Sequence, residues 1–228
     1  MRVVEIYKSM QGEGILTGTE SVFLRTAGCN LRCWYCDTPY ASWHPEGDDL
    51  SVAEIFERIC ETECRHVVVT GGEPMIYSEL VPLCADLAAS QRHITVETAG
   101  TLHLPLICDL MSVSPKLSNS TPSVERASKW RDRHDRTRNA PGVIRRLVAE
   151  FSCQFKFVID RAEDCDEVLG YLEDFPEIDR TRVLLMPQGT DVETLEKTRQ
   201  WLEPYCLQRG LAFCPRKQVE WYGMVRGT

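Results

Sequence analysis

No apolar run in the 228-residue chain approaches the ~20 residues that cross a bilayer. Its first residues, Met1-Arg2-Val3-Val4-Glu5, meet a charge before any apolar stretch develops, so neither a signal peptide nor a membrane segment is expected. Positive charge is in deficit: 26 Lys and Arg against 34 Asp and Glu leave a formal net charge of −8. So acidic a chain offers no broad phosphate-binding face, which argues against bulk nucleic-acid binding. Histidine is scarce, and the five present (His44, His66, His93, His103 and His134) are scattered, none paired recognisably with a nucleophile. Nucleophilic hydrolysis finds no support. No internal repeat divides the sequence, and 228 residues suffice for one well-buried domain over residues 1–228.

Cysteine, by contrast, is plentiful, with eleven in the chain. Without an export signal, the reducing cytoplasm is the expected compartment. Most of the thiols sit in apolar or helical patterns, where free cysteine behaves as a small hydrophobe. Three differ. Cys29-Asn30-Leu31-Arg32-Cys33-Trp34-Tyr35-Cys36 sets them in a C-x3-C-x2-C spacing, short enough to turn three sulfurs towards one point. Thiolates favour iron–sulfur clusters, zinc or copper(I). A 4Fe–4S cluster takes four ligands, so three cysteines would leave one iron free to hold another molecule. Structural zinc shows four ligands in paired spacings, which this stretch lacks; a disulfide with a spare thiol is the other bland reading.

Along the chain, strands and helices alternate. Val3 to Tyr7 reads as a strand, followed by the polar loop Ser9-Met10-Gln11-Gly12-Glu13-Gly14, where glycine lets backbone approach a ligand. Val22 to Thr26 is a second strand with Arg25 inside an apolar run. That arginine wants a carboxylate, from the protein or from a substrate. Ser51 opens a capping box on a helix reaching about Glu61. His66 to Thr70 reads as a buried parallel strand, with Gly71-Gly72-Glu73-Pro74 at its end and a helix from about Met75 to Ser90. Strands at Ile94–Glu97, Leu110–Val113, Gln154–Ile159, Arg182–Met186 and Leu211–Cys214 alternate with helices starting at Pro141, near Ala162 and after Asp191. This rhythm defines an α/β fold with a parallel sheet and right-handed crossovers, whose active site falls at the C-terminal ends of the strands. The stretch at about 117–140 breaks it. Rich in Ser, Pro and charge, it reads as an irregular basic insertion, a solvated loop or short exposed helix. The sharper alternative is a cover over the site, or a docking face for an acidic electron donor.

The cysteine spacing resembles the signature of the radical S-adenosylmethionine (SAM) enzymes, which use a 4Fe–4S cluster to cleave SAM into an adenosyl radical. Six ordered stretches together are similar to one branch, the 7-carboxy-7-deazaguanine synthases of queuosine and 7-deazapurine biosynthesis. They are Gln11-Gly12-Glu13-Gly14, Arg25 to Cys29, Cys36-Asp37-Thr38, Thr70 to Pro74, Glu97 to Gly100 and Ser114-Pro115-Lys116. The resemblance implies an abbreviated, partial TIM-like barrel. It implies that Cys29, Cys33 and Cys36 hold the cluster, and that Tyr35, Cys36, Asp37, Gly71, Gly72, Glu73, Gly100, Ser114, Pro115 and Lys116 line SAM. Substrate contacts carry over to Met10, Gln11, Gly12, Glu13, Arg25 and Thr98, with Arg25 facing a substrate carboxylate, and a magnesium ligand to Thr38. The implied reaction converts 6-carboxy-5,6,7,8-tetrahydropterin to 7-carboxy-7-deazaguanine with loss of ammonia. Its implied partners are a second copy of the chain and a flavodoxin-like or ferredoxin-like electron donor. The turn Met186-Pro187-Gln188-Gly189 stays unassigned, and the C-terminal tail either folds back to the substrate or only closes the barrel or makes a dimer contact. A glycyl-radical activase and a non-catalytic iron–sulfur carrier are the competing readings; the motifs for a small anionic substrate and an amino-acid pocket weigh against each.

Overall fold

The computed structural model describes residues 1–228. Strand β1 (Arg2–Met10) pairs antiparallel with β2 (Glu20–Thr26) and with the short edge strand β3 (Asp48–Asp49). Between them lie the cysteine loop and one helical turn, α1 (Pro39–Ser42). From β2 onward every neighbour is parallel: β4 (His66–Gly71), β5 (His93–Thr98), β6 (Leu110–Val113), β7 (Cys153–Ile159), β8 (Val183–Pro187) and β9 (Ala212–Phe213). The nine strands form one open sheet in the order β3-β1-β2-β4-β5-β6-β7-β8-β9. The sheet is mostly parallel and does not close. The βα rhythm predicted the parallel part; the antiparallel start departs from it, because a hairpin connection of nine residues, Gln11–Thr19, is too short for a crossover.

Helices α2 (Val52–Cys60), α3 (Leu80–Ala89), α5 (Pro141–Glu150), α6 (Glu163–Asp174) and α7 (Val192–Arg209) supply the crossovers. Ser51 caps α2 through the expected reciprocal pair with Glu54. The helix expected from Met75 starts later, at Leu80. Pro74–Ile76 is instead a 3₁₀ turn, because the Glu73 carboxylate takes the Met75 N–H. The insertion holds more order than its composition promised: a 3₁₀ turn at Ser118–Ser120, then α4 (Val124–Arg138), kinked at Ala127. Helix α8 (Lys217–Tyr222) closes the chain. No helix is long and apolar enough to cross a membrane.

The strand period of two divides the sheet into a dry face and a chemical face. Val22 and Leu24, Val67 and Val69, Ile94 and Val96, Met111 and Val113, Phe155 and Phe157, and Val183 and Leu185 all enter the core beneath the helices. Their alternates point the other way: Phe23 and Arg25, Val68 and Thr70, Glu97, Ser112, Lys156 and Val158, and Met186 line a cavity. A parallel strand wholly buried on both faces would be continuously apolar. Arg25, Glu97 and Lys156 interrupt those runs, and all three interruptions fall on the same face.

Candidate active site

The cavity holds about 330 Å³, within the range of small-ligand pockets. Its walls include the three motif cysteines, Tyr35, Asp37 and Thr38 from the cysteine loop, Gly71 and Gly72 from the end of β4, and Ser114 and Lys116 after β6. The N-terminal loop adds Met10, Gln11, Gly12 and Glu13, and β2 and β5 add Arg25 and Thr98. The fold thus gathers most of the sequence-predicted residues around one space. Glu73, Gly100 and Pro115 are not on the wall.

Glu73 explains its own position. It is fully buried, and its carboxylate accepts from the Met75 N–H at 3.1 Å, the Thr98 hydroxyl at 2.8 Å and the Ala99 N–H at 2.8 Å. Burial raises its pKa, opposed by those hydrogen bonds. The side chain ties the end of β4 to the end of β5, and Gly71 and Gly72 face the cavity instead. A Cβ on Gly72 would collide with the Gly28 carbonyl, so this strand end can lie against the cysteine loop only as glycine.

All eleven cysteines are free thiols. Burial pushes Cys29 and Cys33 up to about 12, so these thiols ionise only against a cationic centre such as ligated iron. No fourth thiol and no histidine lines the cavity. Nor do any three His, Cys, Asp or Glu side chains gather tightly enough to close on a single metal ion. A four-ligand zinc shell has no basis here. The donor set fits a cluster that takes three sulfur ligands and leaves one position open. Beside it, the Thr38 hydroxyl lies 3.8 Å from the Cys36 sulfur, and the Ser42 hydroxyl 3.0 Å from the same atom.

The opposite wall is ionic. Lys156, only 3% exposed, sets its ammonium 2.7 Å from Glu97 and 3.1 Å from Glu13. Glu13 also accepts from Arg216 at 3.2 Å and Gln218 at 2.6 Å, and Arg216 reaches on to Asp37 in the cysteine loop. Burial alone would raise the Glu13 pKa, but Lys156 and Arg216 outweigh it and hold the carboxyl at about 2. Lys156 and Arg216 are driven upwards against their own desolvation by the carboxylates they face. Five charges from five segments therefore form one chain across the pocket. At the near rim, Arg25 donates to Glu5 at 2.7 Å and to the Tyr7 hydroxyl at 2.7 Å. The expected protein carboxylate is thus present, while Nη1 makes no hydrogen bond within the chain.

Sequence reading missed Lys156, Arg216, Gln218 and Gln188, all on this wall. The signal for Lys156 was available: Gln154 and Lys156 alternate with Phe155 and Phe157, so the polar pair shares the inward face. Arg216 carried no such pattern. Residues 223–228 of the tail line the cavity, with the Arg226 guanidinium 4.3 Å from the Tyr40 ring centre and 2.9 Å from Glu46.

An open α/β sheet with a three-cysteine loop at the C-terminal ends of its strands defines a radical SAM enzyme, and residues 23–141 match the model of the Radical SAM superfamily. Across 99% of this chain and 88% of the relative, 45% of residues are identical to the 7-carboxy-7-deazaguanine synthase of Rhodopirellula baltica. That of Halobacterium salinarum is 40% identical over 94% of this chain and 88% of its own length. The chain belongs to the 7-carboxy-7-deazaguanine synthases of the radical SAM superfamily. The fold is also that of QueE from Escherichia coli, with a TM-score of 0.68 at 22% identity, covering 95% of this chain and 93% of that one.

Proposed function

We propose that this chain converts 6-carboxy-5,6,7,8-tetrahydropterin to 7-carboxy-7-deazaguanine with release of ammonia, using a 4Fe–4S cluster, SAM and Mg2+. The observation that carries the reading is the pairing, in one cavity, of a three-thiol loop lacking a fourth ligand with a wall of fixed, opposed charges. An electron carrier has no use for the second feature. Bound in this cavity, the cluster and SAM would supply radical chemistry at the substrate.

The chain's own residues do the positioning. Cys29, Cys33 and Cys36 hold the cluster, and Tyr35, Asp37, Gly71, Gly72, Ser114 and Lys116 line SAM. Glu73 and Gly100 act beneath the wall: the Glu73 carboxylate and the Thr98 hydroxyl fix the Ala99 and Gly100 amides. Arg25 meets the substrate carboxylate with its free nitrogen, and Gln11, Gly12, Glu13 and Thr98 complete the substrate wall. Lys156 and Arg216 keep Glu13 ionised, so it accepts hydrogen bonds and never donates them. Thr38 would offer a neutral oxygen to magnesium, a hard cation that takes oxygen ligands. The tail at 223–228 excludes water from the cavity mouth.

We read residues 1–228 as one domain with an insertion at about 117–140, acting as a homodimer in the cytoplasm and reduced by a flavodoxin-like or ferredoxin-like protein. The product's carboxylated deazapurine suits the queuosine pathway. The test is substrate selectivity: the reconstituted enzyme should turn over the carboxylated pterin and fail on tetrahydropterin lacking the carboxylate. Equal rates on both would remove Arg25 and the charged wall from the reading.

A further inference from the structure

We propose that α4, with the cysteine loop it covers, is the docking face for an acidic one-electron carrier protein. The proposal rests on the cluster-dependent activity above and names where its electron enters. Within a chain of net charge −8, residues 124–138 carry six Arg and Lys against three Asp and Glu. Of the six cations only Arg138 is ion-paired, with Asp135 and Glu167. Arg126, Lys129, Arg131, Arg133 and Arg136 are exposed and have no carboxylate partner. Several helical surface cations elsewhere are paired, Arg146 with Glu150, Lys197 with Glu193 and Arg199 with Glu203, and no other helix carries five unpaired ones.

The unpaired cations are ordered. Lys129, Arg133 and Arg136 stand at i, i+4 and i+7, one stripe along the helix. The side carrying His134 and Trp130 faces the protein: His134 is wholly buried, and the Arg32 guanidinium of the cysteine loop lies 4.0 Å from the Trp130 ring centre. Arg133 lies 4.6 Å from that same ring, so stripe and loop are continuous. Trp34, between Cys33 and Cys36, is 36% exposed, so the cysteine loop adds an exposed aromatic side chain. A stripe of free cations joined to a loop with an exposed aromatic fits a small, transient contact with an acidic surface, where charge sets encounter rate and orientation. The carrier's reduced centre loses one electron, the cluster gains it, and no bond is made or broken. A nucleic acid would also meet cations here, but its long polyanion would face the acidic remainder of the protein.

The reconstituted holoenzyme is titrated with oxidised flavodoxin and, in parallel, with a [2Fe–2S] ferredoxin, at low and high salt. Binding of either carrier should weaken with salt. The variant K129E/R133E/R136E should bind at least about tenfold more weakly and lose carrier-driven turnover, while turnover driven by dithionite stays at the wild-type level. Unchanged carrier binding by the variant overturns the proposal. So does binding of a short RNA duplex with no affinity for either carrier. Absence of dithionite-driven turnover in the wild type would sink the activity reading instead, and the binding titration still decides the docking face.

Discussion

The imidazole Nδ1 of His134 accepts a hydrogen bond from the backbone N–H of Arg32 at 3.0 Å, joining α4 to the middle of the cysteine loop. With Nδ1 accepting, Nε2 carries the proton and donates to the Ser120 hydroxyl at 2.9 Å, which in turn donates to the Leu117 carbonyl at 2.7 Å. Ser120 also accepts, through its carbonyl, from the Trp34 N–H at 3.1 Å. The insertion therefore clamps the loop at two points.

That clamp is sensitive to acid. Burial holds His134 at about 4, below the ordinary histidine value, so the folded chain refuses a proton that the unfolded chain accepts. Between about pH 6.5 and 4 the unfolded state binds more protons, and stability falls as pH falls, by up to ~3 kcal/mol. Urea unfolding across that window should show the slope, and His134→Ala should flatten it. A variant with the wild-type slope would assign the acid sensitivity elsewhere.

Cys33→Ala should abolish cluster assembly, seen as loss of the iron–sulfur absorbance, and with it turnover. Because one buried sulfur is removed from a small cluster with Leu31 and Ala99, the fold should survive with a loss of about 1 kcal/mol. Normal turnover by this variant would falsify the ligand assignment.

Lys156→Met leaves the Glu13 and Glu97 carboxylates facing each other without their shared cation. Breaking a buried pair in this way costs about 3–5 kcal/mol. Stability should drop on that scale and KM for the pterin should rise. Adding Glu13→Gln should restore part of the stability but not the KM. Additive losses in the double variant would mean the two groups are not coupled.

Arg25→Lys keeps the charge but loses the fork that holds Glu5 and Tyr7 while leaving Nη1 free. The expected result is a KM for the carboxylated pterin raised by 10- to 100-fold, about 1.4–2.7 kcal/mol, with SAM binding unchanged. Weaker SAM binding in this variant would place Arg25 on the wrong ligand.

Much of this was legible in the residues. The strands after β2, the capping box at Ser51 and the cysteine loop follow from period, caps and spacing, which are local properties. The antiparallel start was legible only in hindsight, from the length of the connection between β1 and β2. Glu73 was read as a ligand group because its motif says so; its burial beneath Thr98 and Ala99 depends on where β5 ends, which no local pattern encodes. Lys156 and Arg216 meet Glu13 across 143 and 203 residues of sequence, so their partnership belongs to the tertiary fold. His134 was set aside as one scattered histidine, and its bond to Arg32, 102 residues away in sequence, belongs to the tertiary fold.

The central claim is tested most directly by anaerobic turnover of the iron–sulfur-reconstituted protein with 6-carboxytetrahydropterin, SAM, Mg2+ and a reductant. Carboxydeazaguanine should form with many turnovers per SAM, because the abstracted hydrogen atom is returned. Accumulation of 5′-deoxyadenosine and methionine without that product would contradict the substrate assignment while leaving the three-cysteine site in place.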